Sequence, residues 1–180
     1  MNNLSLTPET LTAENFSQFG QVISCDNKDH LIINDGYAKK YPDLAEIDTQ
    51  EDGGRTAVNI FIAKKRLLPL KIEMLEKHPF FSQAFIPRDN TRFLVVVAPA
   101  STQPNINDIK AFISNGEQGI NYARGVWHFP LISIKDDAHF IVIDRKYDIE
   151  SDNIEQCIVY PIKEANISIE RAKWTLFDEL

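Results

Sequence analysis

From Arg55 onward, the chain consists of short apolar segments separated by turn-forming residues, and this pattern restricts the fold more than any other feature. Residues 71–76 alternate between polar and apolar side chains, and residues 93–98 form an unbroken apolar run. Both patterns are typical of strands. We expect further strands at residues 57–62, 83–87, 111–114, 121–122, 128–134, 139–144 and 157–161. Strands this short and evenly spaced predict a mainly β fold, either a sandwich or a closed barrel.

Some features of individual segments are also predictable. Residues 83–87 and 93–98 are separated by Pro, Asp and Asn, as the two strands of a hairpin would be. Residues 157–161 are expected to form an edge strand. A short helix is predicted at residues 14–20, with Thr12 as its N-cap. Residues 26–54 are polar and rich in turn-forming residues. We expect them to form a long excursion with little regular structure, a feature that is often functional.

Part of the segment at residues 105–113 is compatible with a helix. The C-terminal residues 167–180 are compatible with either a helix or a strand. The chain of 180 residues is long enough to bury a core without disulfides. We expect a single domain over residues 1–180, with a core at about residues 14–162 and an extension at 163–180. Trp174 and Phe177 in this extension are expected to pack on the core or across a dimer interface.

Charge and cysteine content exclude several classes of protein. The formal net charge of -7 argues against a surface for nucleic acids or anionic membranes, which requires clustered Lys and Arg. Cys25 and Cys157 do not lie in a metal-binding spacing and are expected to stay reduced, in or near strands. The N-terminus lacks the pattern of a signal peptide, and residues 93–98 are too few to span a bilayer. We therefore expect a cytoplasmic protein.

Two segments combine residues that can carry chemistry. Glu76 and His78 are two positions apart, so they face the same side of a strand, and Gln83 returns on the next strand. In the second segment, a turn at Gly125 delivers His128 to the start of another strand. If both segments line one mouth of a barrel, these four polar side chains converge there.

Two histidines, one carboxylate and one amide suit two kinds of site. Imidazole and carboxylate bind nickel, zinc or iron, although an amide oxygen is a weak fourth ligand. A polar pocket without a metal is the alternative, and the residues alone do not decide between them. His30 and His139 have no comparable neighbours and are interpreted as structural or surface residues.

The motifs around these residues resemble the ureidoglycolate lyase family, also called ureidoglycolate hydrolase. The resemblance depends mainly on residues 75–87, which include Glu76-Lys77-His78-Pro79, and on residues 115–128, which end in Gly125-Val126-Trp127-His128. Weaker similarities lie at residues 19–23, 33–41 and 143–145. The resemblance implies a cupin-like barrel, that is, a double-stranded β-helix or jelly roll, which is usually a homodimer. It also implies a lyase that splits ureidoglycolate into glyoxylate and urea during allantoin (purine) degradation.

The resemblance also relates the candidate residues to the two cupin motifs. Glu76 stands in place of the first His of the first motif, and Gln83 stands in place of its Glu. His128 matches the second motif. These replacements weaken the case for a tightly bound metal, so we expect either a divalent ion, nickel before zinc or iron, or no metal. Phe129 replaces a second His of many relatives, and Lys40 replaces an Arg.

Specific roles can be predicted for the candidate residues. His78 and His128 are the favoured acid–base pair because imidazole ordinarily titrates near neutral pH, and Glu76 lies beside them. Gln83 is expected to contact the substrate or the metal. The remaining predicted substrate contacts are Arg55, Lys40 and Arg145 for the carboxylate, and Asn121 and Tyr122 for the urea group.

Two other functions are compatible with the same barrel. One is a metal-dependent cupin enzyme of another class, such as an isomerase or a dioxygenase. The other is a small-molecule-binding barrel without catalytic activity. Because one fold hosts many chemistries, the fold alone does not distinguish these functions.

Overall fold

The computed structural model describes residues 2–146, 156–163 and 165–169, and most of them lie in strands or in the turns between strands. Its strands are β1 (Asn2–Leu6), β2 (Glu9–Thr10), β3 (Gly20–Ile23), β4 (Leu31–Ile33), β5 (Ala38–Lys40), β6 (Arg55–Ala63), β7 (Leu70–Ile72), β8 (Met74–Lys77), β9 (Gln83–Pro87), β10 (Phe93–Ala98), β11 (Lys110–Ile113), β12 (Gly119–Tyr122), β13 (Trp127–His128), β14 (Ile132–Ser133), β15 (Ala138–Lys146), β16 (Ile158–Pro161) and β17 (Ala165–Ile169). The described helices are α1 (Ala13–Phe16) and short 3-10 turns at Asn34–Gly36, Glu51–Gly53 and Ile106–Asp108.

The strands form three main layers. The first sheet has the order β1-β17-β7, the second β16-β8-β13-β10-β11-β2 with β14 also paired to β10, and the third β3-β12-β9-β15-β6. One hydrophobic cluster, which includes Leu75, Trp127 and Ile167, joins the first sheet to the second. Another, which includes Phe112 and Phe140, joins the second sheet to the third. The second sheet is therefore covered on both faces, and β4 and β5 form a separate hairpin.

The burial of β10 explains why its sequence is apolar without interruption. All six residues of this strand are buried. Its even-numbered side chains belong to the cluster with the first sheet, and its odd-numbered side chains belong to the cluster with the third. A strand that is covered on both faces needs apolar residues at every position, whereas a half-exposed strand alternates.

The predicted mainly β fold of the cupin-like jelly-roll type, with a few short helices, is confirmed. The second and third sheets face each other across a shared core, although the pairings among the described residues leave them as two separate sheets. The strands predicted at residues 83–87 and 93–98 have those bounds. The predicted hairpin between them is wrong, because β9 pairs with β12 and β15 while β10 pairs with β11, β13 and β14. Burial of both strands in a two-sheet core favours these long-range pairings.

The helix predictions are only partly correct. Thr12 caps α1 as predicted, since its side chain accepts a hydrogen bond from the Asn15 main chain at 3.2 Å, but the helix already ends at Phe16. Residues 105–113 contain only a 3-10 turn followed by β11. The excursion at residues 26–54 contains the β4–β5 hairpin, which was not predicted.

The C-terminal part of the described chain belongs to the first sheet. β17 runs parallel to β1 and antiparallel to β7, and its Ile167 is fully buried. Residues 167–169, for which the sequence left helix and strand open, therefore belong to a strand. Trp174 and Phe177 lie outside the described residues. Within the described ranges, no helix combines the length and the apolar character that crossing a bilayer requires.

Candidate active site

The candidate site lies between the second and third sheets, and its core consists of Glu76, His78 and His128. His128 on β13 is paired directly opposite Glu76 on β8, and His78 follows β8 two positions after Glu76. Residues opposite each other on neighbouring strands face the same side, as do residues two apart on one strand. Potential ligand atoms of the three side chains consequently lie within 4.8 Å of one another.

A tight turn positions His128. Gly125 has φ +73, a conformation that most residues with a side chain avoid, and its main-chain N–H donates to the carbonyl of His78 at 2.9 Å. Trp127 points to the opposite face of β13, where its side chain is buried and its Nε1 donates to the Ser101 carbonyl at 3.2 Å. This anchoring fixes His128 on the inner face, as the sequence predicts.

Main-chain carbonyls determine the tautomer of both histidines. Nδ1 of His78 lies 3.1 Å from the carbonyl oxygen of Gln156, and Nδ1 of His128 lies 3.0 Å from that of Val126. Because a carbonyl oxygen only accepts, each Nδ1 carries the hydrogen and each neutral ring keeps a lone pair on Nε2. Both Nε2 atoms are buried and have no hydrogen-bond partner among the described residues. Nε2 of His128 lies 3.7 Å from Oε1 of Glu76.

Burial controls the charge of the cluster. It lowers the pKa of His128 to about 3, and nearby His78 acts in the same direction, while the Val126 carbonyl opposes the shift. Burial also lowers the pKa of His78, while the Gln156 carbonyl and, more weakly, the Gln83 side chain act in the opposite direction. The expectation that both histidines titrate near neutral pH is wrong for His128, because its charged form would lose hydration that the site does not replace. The neutral ring can act as a base or a ligand.

Two aromatic rings fix the planes of the imidazoles. The Tyr122 ring stacks on His128 with centroids 4.3 Å apart, and the Phe81 ring stacks on His78 at 4.5 Å. Burial, and secondly the charge of Glu76, raises the pKa of the Tyr122 phenol, so it stays protonated at neutral pH. Tyr122 thus forms a wall of the site beside the His128 ring.

The third sheet contributes Gln83 and a carboxylate that was not predicted. Gln83 Nε2 donates to Oδ2 of Asp144 at 3.3 Å, and Asn59 Nδ2 donates to Oδ1 of the same side chain at 2.8 Å. Asp144 follows the buried Phe140 and Val142 at two-residue intervals, and this alternation was the signal that could have identified it as facing inward.

Cys157 is a second neighbour that sequence reasoning missed. Its Sγ lies 3.7 Å from Oε2 of Glu76, so the two carboxylate oxygens face different groups. Burial raises the pKa of Glu76, and the Cys157 thiol acts in the opposite direction. No local sequence pattern links these residues, because β16 reaches β8 only through the sheet pairing.

The other predicted substrate contacts lie away from the cluster. Asn121 points to the opposite side of β12 from Tyr122, where its Nδ2 donates to Gln21 at 2.9 Å and to the Glu46 carbonyl at 2.8 Å. Arg145 is 4% exposed and donates to the main-chain oxygen of Glu51. These contacts bind the segment around residues 46–51 to the outer side of the third sheet.

The last two predicted contacts are exposed at the ends of strands. Lys40 ends β5 in the separate hairpin. Arg55 begins β6, and the alternation of that strand places it on the same side as Asn59. The structure thus brings Glu76, His78, Gln83, Tyr122 and His128 together, and it does not bring Asn121, Arg145 or Lys40 to them.

The protonation of His128 gives the first testable prediction. Unfolded histidine binds a proton at about pH 6.5, whereas folded His128 does so only near 3. Between these values the unfolded chain binds more protons, so the contribution of His128 to stability is complete above about pH 6.5 and is lost as the pH falls. In metal-free protein treated with a chelator, long-range ¹H–¹⁵N spectra should show the neutral Nδ1–H form of His128 from neutral pH down to about pH 5. A doubly protonated ring at pH 6 would contradict this.

Comparisons with known proteins relate this chain to one enzyme family. The sequence profile of the ureidoglycolate lyase family matches residues 3–166. A ureidoglycolate lyase of Azotobacter vinelandii is 44% identical over 140 residues, which cover 78% of this chain and 84% of that protein. A ureidoglycolate lyase of Pseudomonas syringae pv. tomato is 46% identical over 141 residues, with coverage of 78% and 83%.

Among solved structures, RmlC from Streptococcus suis in complex with dTDP-D-xylose aligns with a TM-score of 0.46 and 13% identity, over 83% of this chain and 75% of that one. The ureidoglycolate lyases share a much larger fraction of identical residues with this chain than RmlC does. With a family profile that spans most of its length and relatives at about 45% identity, the chain belongs to the ureidoglycolate lyase family.

Proposed function

We propose that this chain catalyses the reaction for which its family is named, the elimination of urea from ureidoglycolate to give glyoxylate. The observation that carries the proposal is the cluster of Glu76, His78 and His128, in which one nitrogen of each imidazole and a carboxylate oxygen lie within 4.8 Å of one another. Nε2 of both histidines is buried and has no partner among the described residues. Such a cluster accepts a proton from a substrate hydroxyl without first having to lose one.

The elimination requires one proton to move. The central carbon of ureidoglycolate carries a hydroxyl, a carboxylate and a ureido nitrogen. As the hydroxyl loses its proton, its electron pair forms the C=O bond of glyoxylate, and the pair of the breaking C–N bond passes to nitrogen. We assign the first transfer to Nε2 of His128, with Glu76 at 3.7 Å stabilising the imidazolium that forms. The imidazolium then returns the proton to the departing nitrogen, which completes urea.

The second prediction concerns this base. His128→Ala should lower kcat/KM by about a hundredfold or more, because it removes the positioned acid–base group. The measurement is the release of urea, glyoxylate and ammonia from ureidoglycolate, with circular dichroism to check the fold. Urea should equal glyoxylate, whereas ammonia would indicate hydrolysis.

A matched control is His139→Ala, which changes a histidine on β15 that faces away from the cluster. This variant should keep nearly the activity of the wild-type enzyme. Equal activity of the two variants would remove His128 from the chemistry.

As an alternative to proton transfer by His128, we propose that the cluster binds a divalent metal ion, nickel before zinc or iron. Nε2 of His128 would then be a ligand and would have no lone pair left to accept the proton. Each histidine donates from Nδ1 to a carbonyl and presents Nε2, the arrangement usual for metal-ligating histidines. Nitrogen ligands with one carboxylate suit these three metals. Gln83, the fourth predicted ligand, uses its amide nitrogen on Asp144, which leaves its oxygen to coordinate. A bound metal would polarise the hydroxyl or carboxylate oxygens of the substrate. A metal-free pocket formed by the same side chains is the alternative.

The third prediction tests the metal site by binding. Nickel added to chelator-treated protein should bind in a 1:1 ratio by calorimetry and raise the Tm, since a ligand of the folded state stabilises it. His78→Ala should lose both effects, and His139→Ala should keep them. If wild-type protein shows neither heat of binding nor a shift in Tm, the metal proposal fails and the metal-free alternative is supported.

We also propose a homodimer that forms through the outer face of the third sheet. Val58, Ile60 and Ile62 on β6 are 70%, 52% and 60% exposed, and Ile141 and Ile143 lie opposite two of them on β15. Within the described residues, β6 pairs only with β15 and leaves its other edge open. His139 lies opposite Ile62 at one end of this mainly aliphatic face. An aliphatic face is complementary to itself, as a two-fold axis requires, and exposed patches of this kind mark protein interfaces.

The fourth prediction follows from this surface. Ile60→Lys should convert a wild-type dimer into a folded monomer in sedimentation velocity, because it would bury two unpaired charges at the interface. Leu67→Lys serves as control, since Leu67 is 78% exposed outside this face, and should stay dimeric. A monomeric wild-type protein would contradict the proposal.

A further inference from the structure

Asp144 places a carboxylate on the wall of the site that faces the Glu76, His78 and His128 cluster. It lies on the inner face of β15, two positions after the buried Val142, and its side chain is half-buried. Gln83 connects it to the cluster, because Gln83 Nε2 donates to Oδ2 of Asp144 at 3.3 Å and Gln83 is paired directly opposite Tyr122, whose ring stacks on His128 at 4.3 Å. The wall of the third sheet that holds Asp144 therefore borders the cluster on the second sheet.

Two amides hold this carboxylate in a fixed orientation. Asn59 on β6 donates to Oδ1 at 2.8 Å, and Gln83 on β9 donates to Oδ2 at 3.3 Å. An ionised carboxylate has about four acceptor positions, so one donor on each oxygen leaves capacity for donors from a ligand. Asp144 is thus a preorganised acceptor, and no step assigned above uses it.

The substrate has one end that matches such an acceptor and one end that it repels. The ureido group carries N–H donors on both nitrogens, and two of them can point the same way, as the donors of a guanidinium do towards a carboxylate. The carboxylate end of ureidoglycolate carries no donor and has the same charge as Asp144. Electrostatic complementarity therefore favours one orientation over the reverse.

We propose that Asp144 binds the ureido end of the substrate and so determines which way round ureidoglycolate enters the site. The inference rests on the proposed function, since it names the contact for one half of that substrate. It assigns the urea group to Asp144, whereas the sequence suggested Asn121 and Tyr122. Each product represents one half of the substrate, because urea carries the N–H donors and glyoxylate carries the carboxylate. Binding of the two products therefore reports on the two halves separately.

The test compares wild-type enzyme with Asp144→Asn, which keeps the shape but removes the charge and replaces one acceptor by a donor. The KM for ureidoglycolate and the inhibition constant of urea should each rise about tenfold or more, because the variant loses a hydrogen bond to a charged acceptor. The kcat should change less, and the inhibition constant of glyoxylate should stay the same or fall. Asp89→Asn, at a surface carboxylate bonded to Thr91 and Lys135, should leave all constants unchanged.

The selective loss of urea binding distinguishes recognition from a merely structural role. Unchanged urea inhibition in Asp144→Asn, or equal weakening of urea and glyoxylate, would overturn the inference while wild-type turnover still supports the proposed function. Equilibrium binding of both products, at urea concentrations far below denaturing ones, gives the same comparison if the wild-type protein lacks turnover. Should Asp144→Asn fail to fold, Asn59→Leu removes one positioning donor and should weaken urea binding selectively, by a smaller factor.

Discussion

The chemistry of this site depends on two hydrogen bonds from imidazole Nδ1 atoms to main-chain carbonyls. The carbonyls of Gln156 and Val126 accept from His78 and His128, and they leave both Nε2 lone pairs directed at the same region as the Glu76 carboxylate. Rotation of either ring by 180° would break the Nδ1 hydrogen bond and put a C–H in place of the Nε2 lone pair, which removes a base or ligand. The stacked rings of Phe81 and Tyr122 oppose that rotation.

The layered fold supplies the environment that these groups require. The second sheet is covered on both faces, so β8 and β13 hold Glu76 and His128 in register on a rigid support. The same burial lowers the pKa of His128 and keeps the ring neutral before substrate binds. A neutral ring suits a proton acceptor or a metal ligand. Membership of the ureidoglycolate lyase family removes support from the other two functions considered, a cupin of another class and a non-catalytic barrel.

Local patterns in the sequence predicted what depends on local structure. Alternation placed Glu76 and His78 on one face, and the apolar run of β10 predicted a buried strand. The pairing of β9 and β10 was not predictable, because sheet order depends on contacts between distant segments. For the same reason Asp144 and Cys157 were missed, and the low pKa of His128 required knowledge of its burial. The cytoplasmic location and the lack of nucleic-acid or membrane partners stay predictions.

The central claim is that Glu76 and His128 act as one catalytic unit rather than as two independent contributors. The most direct test is a double-mutant cycle on kcat/KM with Glu76→Gln, His128→Ala and the double variant. If the carboxylate works only through the imidazole that it faces at 3.7 Å, the double variant should be no less active than His128→Ala alone. Losses that multiply in the double variant would show independent roles and contradict this account.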